Sequence, residues 1–126
     1  MSLTRQARGT TIKAVEKGSA FYTIYWTRLA KVDKHRINGS VPAVSGIYEV
    51  YHMDRAGKLN YFAVAKTWYG GLRYAIRTKT DPELEENADR RRILDEEACY
   101  YRWSAVSSTL DMDDLKKVTP SAQTAK

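Results

Sequence analysis

The chain has 126 residues and a formal net charge of +6, with 43% hydrophobic and 11% aromatic residues. That length supports one domain with its own core, and the composition excludes disorder and a disulfide-stapled scaffold, since Cys99 is the only cysteine. No apolar run approaches the ~20 residues of a membrane-spanning helix, "MSLTRQARG" carries no apolar signal core, and a lone thiol suits a reducing compartment, so a cytoplasmic protein with no membrane partner is expected.

Residues 1–18 are polar and basic without a period, and read as a loose basic arm. A single domain is expected over residues 19–118, with a frayed tail at 119–126. "AFYTIYWTRL" (residues 20–29) is aromatic and β-branched, which predicts a strand. "AKVDKHRINGSVP" follows as a polar, basic connector that closes on Asn38-Gly39 and Pro42. In "GIYEVYHM", Ile47, Glu49 and Tyr51 alternate with Tyr48, Val50 and His52 across the two faces of a strand. "DRAG" then supplies a turn in which Gly57 can take a positive φ, and "KLNYFAVA" returns, so residues 46–65 predict an antiparallel hairpin.

From residue 69 to 77 the period changes. Leu72, Ala75 and Ile76 fall at i, i+3 and i+4, while Arg73 and Arg77 stand one turn apart on another face, which predicts a short amphipathic helix. Asp81 before Pro82 reads as an N-cap, opening an acidic helix with Leu84 and Ala88 turned inward. "ACYYRWSAVSS" (residues 98–108) predicts a third strand of the sheet. "LDMDDLKKV" predicts a last short helix, with acids at its start and lysines at its end as the helix dipole favours. The order gives an α+β class with a small, largely antiparallel central sheet flanked by helices.

Charge is unevenly placed. Residues 82–97 hold seven carboxylates against three arginines, a local net charge of −4 that leaves +10 on the rest of the chain. A basic body attracts DNA or RNA, because clustered Lys and Arg displace the counterions of phosphates. The acidic 82–97 segment offers a basic protein partner a complementary patch. With two distant histidines and one cysteine there is no zinc-site pattern, and no cofactor is expected. Asp111, Asp113 and Asp114 are weak metal candidates, better explained as a helix cap. Gly70 and Gly71 either let the chain turn tightly into the helix, or expose N–H groups that form a phosphate site with Lys66, Arg73 and Arg77.

"VPAVSGIYEVY", a turn, "AVAKT" and a helix carrying Arg73 together resemble the GIY-YIG nuclease family over about residues 41–115. The family pattern is a G-I-Y strand, a hairpin, a Y-[IV]-G-K-[TS] return strand, a helix with a catalytic arginine, a further strand, and a helix with a metal-binding glutamate. Gly46-Ile47-Tyr48 match outright. The resemblance implies that Tyr48 helps deprotonate the attacking water, that Arg73 steadies the cleaved phosphate, and that magnesium is the cofactor if the domain is active. The second motif aligns as Ala63-Val64-Ala65-Lys66-Thr67, which sets Arg73 at the family's distance, or as Tyr61-Phe62-Ala63, which keeps the tyrosine and puts Gly71 in the arginine's place. Lys116-Lys117-Val118 stand where the glutamate belongs. The reading is a divergent GIY-YIG-like domain without nuclease activity that binds nucleic acid. A protein-interaction domain, and an unusual metal-dependent phosphodiesterase using Asp111, Asp113 or Asp114, are the alternatives.

Overall fold

The structure, a computed structural model, describes residues 8–67 and 71–106. Gly70, the expected helix with Asp111, Asp113 and Asp114, and the 119–126 tail lie outside the described residues.

The first element corrects the reading of the expected 1–18 arm over its described residues, 8–18. β1 (Thr11–Glu16) pairs antiparallel with β2 (Ser19–Ile24), from Thr11 opposite Ile24 to Glu16 opposite Ser19. Lys17 and Gly18 turn the chain with φ of 51° and 80°, the left-handed pair that suits a two-residue hairpin. The hairpin is tied to the main body through Gly9, whose N–H donates to the Tyr25 carbonyl at 2.7 Å while its own carbonyl accepts from Ala105 N–H at 2.7 Å. The expected strand over residues 20–29 therefore ends at Ile24, and Trp26 is buried in the irregular segment that follows.

The basic connector is also more structured than its composition indicates. It holds β3 (Ala30–Lys31) and a helix, α1 (Lys34–Ser40). Asp33 is the N-cap, its carboxylate accepting from His35 N–H at 2.9 Å and Arg36 N–H at 3.0 Å. The helix stops at Val41, which precedes Pro42 and so favours extended backbone.

β4 (Gly46–Met53) and β5 (Leu59–Thr67) form the expected hairpin. Asp54 closes its turn by accepting from Ala56 N–H and Lys58 N–H, and Gly57 takes a φ of 79°. α2 (Gly71–Lys79) buries Leu72 and Ile76, as its spacing requires. The acidic stretch is not one helix. Asp81 caps a single 3₁₀ turn (Pro82–Leu84), and Asn87 caps α3 (Ala88–Glu96). Leu84 is exposed, not inward, as is Ala88; Ile93 and Leu94 make the contact with the core. β6 (Ala98–Ala105) completes the set.

The main sheet runs β3-β6-β4-β5 with every pair antiparallel, which is the α+β architecture. β4 is central and covered on both sides, so residues 46–50 are all buried. One face carries Tyr48, Val50, Phe62 and Tyr101 against Ile37 and Val41 of the α1 region and Leu72 and Ile76 of α2. The other carries Ile47 against Ile24, Trp26 and Val106. Between Val50 and Tyr51 the β4–β5 register slips by one residue, leaving Phe62 as the extra residue of a bulge. Among the described residues no helix is long and apolar enough to cross a membrane.

Candidate nucleic-acid interface

α2 begins where the chain is most constrained. Gly71 has a φ of +74°, and a Cβ there would stand 2.5 Å from the Ala43 carbonyl carbon and 2.7 Å from Val44 N. This close approach lets the loop before β4 accept the helix's first amides: Leu72 N–H donates to Val44 O at 2.8 Å, and Arg73 N–H to Pro42 O at 3.2 Å. Those donors are therefore not presented to a phosphate. Gly71 serves the tight turn, the other of the two roles open to it in the sequence.

The residues named by the GIY-YIG resemblance are placed unevenly. Tyr48 is only 4% exposed and packs in the cluster that includes Leu72 and Ile76, so it lies on the α2 side of the sheet. Burial holds its phenol above the ordinary tyrosine range. Arg73 is on the same side, but its Nε donates to the Val41 carbonyl at 2.8 Å, so part of the guanidinium is a structural clamp on the end of α1. Lys66 pairs with Ile47, and directly opposed residues share a face, so it lies on the side away from α2. The structure thus separates Lys66 from Arg73 and Arg77. Alternation from Tyr48's partner Ala65 puts Ala63 on Tyr48's face, whereas the bulge carries Tyr61 to the opposite one.

Arg77 does reach a concave surface. A groove of about 590 Å³ lies between α1, α2 and the 3₁₀ turn. Val32, Ile37 and Leu94 give it an apolar lining, Lys34 and Arg77 supply cations, and Asp81 and Glu83 supply carboxylates. Asp81 is engaged as a cap, accepting from Glu83 N–H at 2.9 Å. Lys34 and Arg77 have no side-chain hydrogen-bond or ion-pair partner among the described residues. Tyr74 lines the same groove and is 61% exposed. Lys34 is the residue that sequence reasoning missed, and the cap signal at Asp33 was the available clue to its helix.

On the opposite face stands a second cluster that the sequence did not reveal as one. Glu49 is fully buried in the middle of β4. Its carboxylate accepts from Arg102 Nε at 2.7 Å, Tyr51 OH at 2.6 Å and Tyr61 OH at 3.1 Å. The Arg102 guanidinium lies 4.5 Å over the Trp26 ring, and Tyr51 and Tyr61 stack at 4.8 Å. Burial and the bond to Glu49 push the Tyr51 phenol far above its usual range. Both carboxylate oxygens of Glu49 are satisfied within the protein, which marks a structural network. A carboxylate inside a central strand was the signal, because an ionised group there needs a partner.

Two carboxylates of the acidic 82–97 segment are engaged within the fold. Glu85 holds Arg90 at 3.2 Å, and Glu97 meets His52 Nδ1 at 2.7 Å. Among the described residues no group of three or more His, Cys, Asp or Glu side chains could hold a metal ion. Asp111, Asp113 and Asp114, the metal candidates of the sequence, lie outside the described residues.

The chain belongs to the family described as "Uncharacterised protein", whose model matches residues 4–125. No curated protein and no solved structure matches it.

Proposed function

We propose that the chain is a nucleic-acid-binding module built on a divergent GIY-YIG-like domain, and that it does not hydrolyse phosphodiesters. The observation that carries this reading is the meeting of Lys34 and Arg77, from two different helices, in one groove with no partner among the described residues. Unpartnered cations on a chain of net charge +6 favour a phosphate ligand by counterion release. The GIY-YIG part rests on the matched triplet in central β4, flanked by antiparallel β5 and β6 and followed by α2. A fold alone does not set an activity. Hydrolysis in that family's manner asks Tyr48 to take up a proton from water, yet the phenol is buried and held in its neutral form.

Fluorescence anisotropy with labelled oligonucleotides tests the binding. Affinity should fall steeply with salt, and Lys34→Ala and Arg77→Ala should each weaken binding to all sequences and reduce the salt slope by about 1. Absence of binding at low salt would refute the reading. Incubation with magnesium or manganese should leave plasmid and branched DNA intact. Cleavage that Tyr48→Phe and Arg73→Ala both abolish would instead establish the phosphodiesterase alternative.

A further inference from the structure

We infer that the groove between α1, α2 and the 3₁₀ turn takes one unstacked nucleotide of a single strand, with Tyr74 as the platform for its base. The inference rests on the nucleic-acid reading and specifies the substrate class of that site.

The argument begins with Tyr74. Its neighbours on α2, Leu72 and Ile76, are fully buried, but Tyr74 lines the groove at 61% exposure with no interaction among the described residues. An exposed aromatic beside two unpartnered cations is the combination that single-strand binders use: charge holds the backbone, and a ring face stacks any base. Val32, Leu84 and Leu94 add apolar surface that a base, having left its stack, can cover. A duplex would use little of this. Its bases face one another and its outer surface presents phosphates, so the ring and the apolar lining would meet only water.

Size and charge point the same way. About 590 Å³ falls within the ~300–1,000 Å³ of sites that enclose small ligands, room for one nucleotide rather than for a helix's width. Asp81 and Glu83 also line the groove and repel phosphate, so a bound backbone is held by Lys34 and Arg77, and two cations against two carboxylates suit a single phosphate better than a run of them.

The test compares a labelled 20-nucleotide single strand with the same sequence as a duplex, by anisotropy at low salt, for the parent, Tyr74→Ala and Tyr74→Phe. The single strand should bind more tightly than the duplex. Tyr74→Ala should weaken single-strand binding about 5-fold or more, the size of one lost base stack, and leave duplex binding unchanged. Tyr74→Phe should stay near the parent. An unchanged melting temperature for both variants is expected of so exposed a side chain. Equal binding of both substrates, with Tyr74→Ala indistinguishable from the parent, would overturn this inference and leave the nucleic-acid reading standing. No binding of either substrate would overturn both.

Discussion

Replacing Arg102 with Met should destabilise the domain more than replacing Glu49 with Gln, because burial within this ion pair is unequal. The Glu49 side chain is fully buried, while that of Arg102 is 19% exposed. Arg102→Met keeps most of the apolar stem but removes the guanidinium that lies over Trp26, and with it the cation beside a carboxylate that water cannot reach. Two phenol donors remain, from Tyr51 at 2.6 Å and Tyr61 at 3.1 Å, and neither carries charge. Stripping the partner from a buried charge costs about 3–5 kcal/mol. Glu49→Gln leaves the opposite orphan, a guanidinium that can turn toward solvent, and its amide oxygen still accepts from Tyr51. About 1–2 kcal/mol is expected there. The double variant should recover much of the Arg102→Met loss, since no unpaired charge stays inside. Urea unfolding followed by tryptophan fluorescence reads all three, and the midpoint should move without a change in slope. Equal costs for the two single variants, or Arg102→Met within about 1 kcal/mol of the parent, would show that water reaches Glu49 and that the network is not a buried pair.

Two further outcomes follow from local geometry and titration. Gly71→Ala should cost about 2–4 kcal/mol, because it combines a left-handed φ with a Cβ 2.5 Å from backbone; a melting temperature equal to the parent's would mean that the loop at Ala43 yields freely. Stability should decline in alkali, since burial raises the Cys99 thiol from 9.0 to about 11 and holds the Tyr48 and Tyr51 phenols above their ordinary value. The folded chain then binds these protons more tightly than the unfolded one, so their contribution is complete below pH 9.0, and the part due to Cys99 is lost as pH passes about 11. A melting temperature flat from pH 8 to 11 would refute it.

What could be read in the sequence was local. The β4–β5 hairpin is visible because alternation and the Asp54–Gly57 turn chemistry both act over a few residues, and α2 is visible because Leu72 and Ile76 mark one face. α1 escaped because a seven-residue helix that buries only Ile37 shows no period. β1 escaped for a related reason: Ile12 and Val15 are exposed, so no inward face stands out, and pairing with β2 alone defines the strand. The run Arg90-Arg91-Arg92 fits no apolar stripe, yet α3 accommodates it. Arg90 lies 3.9 Å over the Phe62 ring and donates to the Phe62 carbonyl at 3.0 Å, a contact made across 28 positions of chain.

The same distinction decides the second motif. Counting by twos along β5 puts Tyr61 on the face of Ala63 and Ala65, and so beside Tyr48. The bulge at Phe62 breaks that count. Phe62 takes the place in the core beneath the helices, and Tyr61 crosses to stack on Tyr51 and donate to Glu49. No local signal announces a bulge in "LNYFAVAKT", because its cause is the fit of Phe62 against elements far along the chain. Its consequence for chemistry is direct. The alignment that retains the tyrosine places its phenol across the sheet from Tyr48, and the alignment that retains Arg73 places the methyl group of Ala63 where the family has a phenol. Neither supplies Tyr48 with the motif's second tyrosine on the α2 side, so the pair of phenols that the family's pattern brings together is not assembled here in either alignment.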